Sequence, residues 1–407
     1  MRRVYIHGLA GWLLLLPLWV YLKWVDILPG PETILKELWL VSLLIPAAVI
    51  FQRNDYKIKL PVVVVVFTAI IFVTVARDSL LTSLRFFRPY FEPIALIFLP
   101  ITIVRLHEEE TEYLLRCLLW AIVLICGIAV IHLVYSEFLL WDSIVRTELY
   151  RRGPPYSWFG PHRLMSITGN PNNLANLAVF GTILGVWEFE QRDSLRAKII
   201  FTVVIGLTAA MVFLSVSRDD FGILAIAFVA MALLQRRWRL LIGGGLVMTS
   251  GFFMNIDKII RTIRILVENG NPRFNFWANI ITYLNRDLIT GIGPAALAIQ
   301  GWYIDSSLLN IIIEMGIIGL LIFLLLNIQI ARSLVSLALN GDQLSVVLVT
   351  LTGALFGTML MRQSLINTPF SLLYWLFVAM SYQRIFEASS GLSGEPVRDS
   401  TTPSTKA

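Results

Sequence analysis

Three arginines stand where a guanidinium could meet a phosphate: Arg218 in F-L-S-V-S-R-D-D-F-G, Arg273 directly after Asn271-Pro272, and Arg286. A guanidinium fork donates parallel hydrogen bonds to phosphate oxygens, so two or three of them can hold a diphosphate and stabilise it as it leaves. Read singly, Arg218 is equally an interfacial anchor paired with Asp219 or Asp220. Asp305 opens D-S-S-L-L-N-I-I-I-E-M-G-I-I-G-L, where its carboxylate could accept a proton or simply cap a helix. Glu314 should lie about 13 Å deeper on that helix at 1.5 Å per residue. An acid there needs a polar partner, and its expected role is structural, through arginine or backbone contacts. Asn170, Asn172 and Asn173, in G-N-P-N-N-L-A, suit helix capping and could also bind sugar hydroxyls. No Walker motif, G-x-S-x-G elbow, dinucleotide fingerprint or zinc motif occurs, and the four histidines are scattered. Neither a metal nor a cofactor is expected, and nothing points to nucleic acid.

The elements that carry these residues are strongly apolar. Of 407 residues 57% are hydrophobic and 15% charged, and the mean hydropathy is +0.74. Soluble domains carry about 25% charged residues, so the deficit points to a surface facing lipid. Cys117 and Cys126 fall in one apolar stretch and read as small core or lipid-phase residues.

Runs of about 20 apolar residues, enough to cross the hydrocarbon layer, give an all-α polytopic protein over 1–386. The expected spans are 5–22, 34–51, 60–76, 88–104, 113–134, 170–188, 199–216, 220–235, 239–255, 304–328, 343–361 and 368–386. A tail over 387–407, rich in Ser, Thr, Pro and Gly, reads as disordered and cytoplasmic. Basic clusters at Arg2-Arg3, Arg53 to Lys59, Arg192 to Lys198 and Arg236 to Arg239 put both termini in the cytoplasm under the positive-inside rule.

The opposite face is then unusually cationic, with Arg77, Arg146, Arg151, Arg261, Arg264 and Arg362 among its charges, and an anionic partner would account for that. Two external loops are long, 135–168 and 256–303. In the second, Ile256 to Val267 reads as an amphipathic interfacial helix carrying Arg264. Asn271-Pro272 then opens a helix through Trp277 to Leu284 with Arg273 in its first turn, and Gly291-Ile292-Gly293-Pro294 returns the chain to the membrane.

In order along the chain, G-N-P-N-x-L-A at 169–175, the Ser217-Arg218 pair, Arg273 with Trp277, Gly291-Ile292-Gly293 and D-S-S-L-L-N-I-I-I-E-M-G-I-I-G-L resemble the O-antigen ligase and O-antigen polymerase superfamily of bacterial envelope glycosyltransferases. The resemblance covers 165–325 in detail. It implies a GT-C-like fold of about 12 transmembrane helices in the inner membrane, an external active site and an undecaprenyl-diphosphate-linked glycan as donor. It also implies metal-independent catalysis, and a chain-length regulator protein as a partner. Arg218 and Arg273 match the family's diphosphate-binding arginines, and Asp305 matches the position of its proposed base. Arg286, Asn170, Asn172, Arg264 and Trp277 are then candidate substrate-binding residues. The ligase branch carries His where this chain has Asp305, which favours polymerisation of repeat units into O-antigen or exopolysaccharide over ligation to a lipid A-core. A transporter of an anionic or lipid-linked solute is the reading from another class, and it would call for discontinuous helices and internal symmetry.

Overall fold

The computed structural model describes residues 1–19, 31–54, 61–75, 90–134, 164, 166–168, 170–215, 217–254, 272–284, 287–293, 306–362 and 370–389. Among them the chain is helical, with no strand. We number the helices α1 Arg2–Leu14, α2 Pro31–Ser42, α3 Leu44–Asn54, α4 Val62–Val75, α5 Leu99–Val104, α6 Glu108–Val134, α7 Pro171–Gln191, α8 Leu195–Leu214, α9 Arg218–Gln235, α10 Trp238–Met254, α11 Pro272–Leu284, α12 Ser307–Leu339, α13 Gln343–Met361 and α14 Phe370–Ser389.

Helix occupies part of every segment expected to span. Among the described residues four helices are long and apolar enough to cross a membrane, within Glu108–His132, Leu195–Leu214, Ser307–Leu339 and Gln343–Met361, and shorter apolar helices lie within Glu37–Gln52, Val62–Thr74, Tyr90–Val104 and Trp238–Thr249. Exposed Ile226, Ile242 and Leu246 give the bundle an outer surface that suits lipid better than water.

Two boundaries and one stretch of helix geometry differ from the sequence reading. Helix α12 runs to Leu339, well past residue 328, because nothing in its apolar run breaks it there. The tail begins later than residue 387, since α14 continues to Ser389 and Glu387 is held beside Arg384 at 3.6 Å. Ahead of α5, the stretch Ile94–Phe98 forms π-helix. Pro100 lacks an N–H and its ring crowds the preceding turn, a common cause of such widening. The expected interfacial helix at 256–267 lies outside the described residues.

The core is built on aromatic contacts between distant helices. Phe67 of α4 meets Phe323 of α12 with ring centroids 5.7 Å apart, and Trp375 of α14 meets Phe98 at 5.8 Å. Between α6, α7 and α8 the packing instead needs small residues. A Cβ on Gly181 would come within 2.7 Å of an Ile122 methyl and 2.8 Å of a Thr208 methyl, and one on Gly185 within 3.0 Å of Ile205. This G-T-I-L-G stripe lets the helix backbones approach closely, as membrane helices commonly do.

One end of the bundle is cross-linked by ion pairs. Arg2 bonds Glu110 at 2.5 Å and the Arg105 carbonyl at 2.9 Å. Arg116 and Arg192 share the buried Glu188, at 2.5 and 2.6 Å, and Arg237 pairs with Glu190. Arg384 forks onto Asp342 at 2.8 and 2.9 Å and reaches Glu108 at 2.7 Å. The acidic stretch after His107 thus neutralises arginines from both chain ends.

Burial works to raise the Asp342 carboxyl, but the Arg384 fork and the Ser345 hydroxyl outweigh it and hold the group below its ordinary value. A depressed carboxylate stabilises the fold fully above the unfolded value of about 3.9, and that stabilisation is lost as pH falls through the folded one. Acid unfolding of the purified protein should therefore show a destabilising limb below about pH 4 that Asp342→Asn flattens. An unchanged limb in the variant would mean that other carboxylates carry it.

Candidate functional site

At the other end three helix N-termini meet the end of a fourth helix. Asn170 caps α7, its side-chain oxygen accepting from the Asn172 N–H at 2.9 Å, with Pro171 in the first turn where the missing N–H costs nothing. Ser217 holds the cap position of α9 without a side-chain cap bond, and Ser306 caps α12 by accepting from the Leu309 N–H at 3.4 Å. The cap position of α12 is thus held by Ser306, and Asp305, which the sequence offered for it, lies outside the described residues. In D-S-S the extended residue directly before the first turn is Ser306, so its shorter hydroxyl takes the role.

Arg362, just past α13, ties these starts together. Its Nη1 donates to the Asn172 carbonyl at 2.9 Å, and its Nη2 donates to the Ser217 hydroxyl and lies 2.7 Å from Asp220 Oδ2 and 3.8 Å from Asp219. The Ser217 hydroxyl donates to the same Asp220 carboxylate. The Arg362 carbonyl accepts from the Ser307 N–H at 2.9 Å and from its hydroxyl at 2.7 Å. One turn deeper the Thr358 hydroxyl donates to Asn176 Oδ1 at 2.7 Å, linking α13 to α7 again.

Sequence reasoning offered Asp219 or Asp220 as partners for Arg218. The structure pairs Asp220 with Arg362 and brings Asp219 within 3.8 Å of it, while the Arg218 side chain lies outside what the structure describes. An arginine closing the apolar run T-M-L-M-R with no acid nearby in sequence was the available signal. Two adjacent acids facing a single local arginine were its counterpart.

The backbones of Arg218 and Arg273 lie in the first turns of α9 and α11, as expected. Helix α11 runs Pro272–Leu284, the expected extent, with Trp277 half-buried beside Leu284 and Leu309. Asp305, Arg286 and Arg264 lie outside the described residues. Asn170 and Asn172 sit at the convergence, Asn170 as a cap and Asn172 through its carbonyl. Three helix N-termini direct the positive ends of their dipoles to this end, where Asp219 and Asp220 offset the Arg362 charge.

The second feature is a break in α12. Gly316 has φ 72° and ψ −175°, a conformation essentially restricted to glycine. Residues 287–293 fill the gap: the Ile292 N–H donates to the Ile313 carbonyl at 2.7 Å, and the Ile317 N–H donates to the Leu288 carbonyl at 2.9 Å. Gly291, with φ 73°, passes so close that a Cβ there would lie 2.5 Å from the Glu314 oxygen. The Gly291-Ile292-Gly293 turn is thus docked into the helix that carries Glu314.

Glu314 is 3% exposed, and among the described residues no arginine pairs with it, although the sequence reading offered arginine as one of two kinds of partner. The Tyr90 hydroxyl lies beside it, while Glu314 Oε2 and both polar atoms of Asn310 are buried without a hydrogen-bond partner. Cys117 and Cys126 are buried free thiols in α6. Among the described residues no three His, Cys, Asp or Glu side chains gather as a metal site. In comparisons with known proteins, no family model matches the chain and no curated protein matches it.

Proposed function

We propose that the chain is a twelve-span membrane glycosyltransferase that polymerises undecaprenyl-diphosphate-linked repeat units on the external face of a bacterial inner membrane, with both termini cytoplasmic. The observation that carries this reading is the meeting of G-N-P-N, Ser217-Arg218 and the start of D-S-S-L-L-N at one end of the bundle, although they are far apart in sequence. The family resemblance rests on the order, sidedness and spacing of these motifs, and the proximity of their described residues adds support to it.

In this mechanism an acceptor sugar hydroxyl attacks the anomeric carbon of the growing chain. The bond from that carbon to the diphosphate oxygen breaks, undecaprenyl diphosphate leaves with the electron pair, and Asp305 accepts the hydroxyl proton. Arg218 and Arg273, with Arg286 as a third, stabilise the charge that develops on the diphosphate. The helix N-termini around Arg362 add a fixed positive field. Arg264, Trp277, Asn170 and Asn172 line the substrate path, and a chain-length regulator is the expected protein partner.

The test is expression in a bacterium that makes a matching lipid-linked repeat but lacks its own polymerase and ligase, followed by separation of the lipid-linked glycans by size. Long ladders should appear and vanish in Arg273→Ala at equal protein level. Glycan moved to a new acceptor would identify a ligase. Single repeats throughout, with the repeat proven competent by a known polymerase, would defeat the proposal. A second reading, transport of an anionic or lipid-linked solute, is favoured by the break in α12, since discontinuous helices are common in transporters.

A further inference from the structure

Beneath the convergence, Ser306, Asn310 and Glu314 follow one another at four-residue spacing on α12. They form a single buried polar stripe descending into the bundle. Asn310 is fully buried with neither its amide oxygen nor its nitrogen engaged. Glu314 Oε2 is likewise without a partner, and Tyr90 Oη lies beside the carboxyl without a well-aligned hydrogen bond. Native interiors seldom leave so many polar atoms unanswered in one place.

A carboxylate in this position costs several kcal/mol unless a positive charge answers it. Among the described residues no cationic side chain acts on Glu314, and Tyr90 lies beside it. The break at Gly316 adds a second negative element. It ends the half-helix 307–315 immediately after Glu314, so the negative end of that dipole lies at the turn that carries the carboxyl. Carboxylate, amide oxygen and phenol oxygen are all hard oxygen donors, and one carboxylate carries one charge. That set suits a small monovalent metal cation better than a divalent one, which draws on several carboxylates.

We propose that Glu314, Asn310 and Tyr90, at the broken end of the first half of α12, form a binding site for a monovalent metal cation of the sodium class. The site stands on its own residues and holds whether the chain polymerises glycans or transports a solute. It lies on the stripe below Ser306, apart from the arginine-lined rim proposed for the diphosphate.

The experiment is thermal unfolding of the full chain, purified in detergent, in sodium, potassium or choline chloride at equal ionic strength, with the salt titrated. Sodium or potassium should raise Tm saturably over choline, and Glu314→Gln should abolish that response. The glutamine variant should also match or exceed the Tm of the wild type in choline, because it removes an unanswered charge without changing shape. That second readout separates loss of the site from failure to fold. Asn310→Ala should weaken the response at least several-fold in half-saturating concentration. Equal Tm in all three salts, or a response retained by Glu314→Gln, would overturn the site.

Discussion

Arg362→Ala is expected to lower the stability of the bundle by about 3–5 kcal/mol, the usual cost of stranding one partner of a buried ion pair. The size follows from what the side chain holds. Asp220 is fully buried, its Oδ1 has no partner, and its Oδ2 depends on Arg362 and Ser217. The same guanidinium also satisfies the Asn172 carbonyl, so its loss loosens the starts of α7 and α9 together. Arg362→Lys keeps the charge but cannot spread donors over three partners, and should fall between wild type and alanine. Combining Arg362→Ala with Asp220→Asn should recover much of the loss, because the stranded charge is gone; this double-mutant cycle isolates the pair. Unfolding of the purified variants in detergent provides the measurement. An alanine variant as stable as wild type would show that the cluster does not hold these helices.

Gly316→Ala should be nearly as damaging, for a steric reason. A Cβ at Gly316 would fall 2.1 Å from the Ile289 carbonyl oxygen and 2.4 Å from its carbon, and both are backbone atoms that cannot rotate away. The positive φ adds about 1–3 kcal/mol of strain for any residue with a side chain. The expected result is ejection of residues 287–293 from the break, read as a lower Tm and as new proteolytic cleavage near Leu288. Gly353→Ala is the control. That glycine lies within α13, where a Cβ meets nothing within 4 Å, and the substitution should be neutral or stabilising by up to about 1 kcal/mol. Equal behaviour of the two variants would contradict the docked turn.

These two positions mark the limit of what the sequence discloses. Helix location was legible because apolar runs of near-spanning length leave few alternatives, and Asn170 and Pro272 announced their helix starts by residue type. The pairing of Arg362 with Asp220 was not legible, since 142 positions separate them and local spacing carries no sign of such a contact. In D-S-S the cap depended on one residue of register, and a pattern accurate to a few residues cannot choose between Asp305 and Ser306. In G-I-I-G neither residue type nor spacing marks Gly316 rather than Gly319 as the break. Which glycine would break could be known only once the 287–293 turn was seen to supply the hydrogen bonds that a break forfeits. Of the candidate site, the described residues give the Asn170, Asn172 and Ser217 framework and the helical setting of Arg218 and Arg273.

The break in α12 also bears on how the protein enters the bilayer during synthesis. At 1.5 Å per residue the part after Gly316 is about 34 Å long, sufficient by itself to cross the hydrocarbon layer, whereas residues 307–315 would cover only about 13 Å. The insertion machinery can therefore recognise the second part as a complete signal while the first follows as a short re-entrant arm. The turn that completes the arm is translated earlier and is already waiting when it arrives. Substitutions at Gly291 or Gly316 should thus leave targeting and membrane integration intact and act later, when the arm settles against its turn.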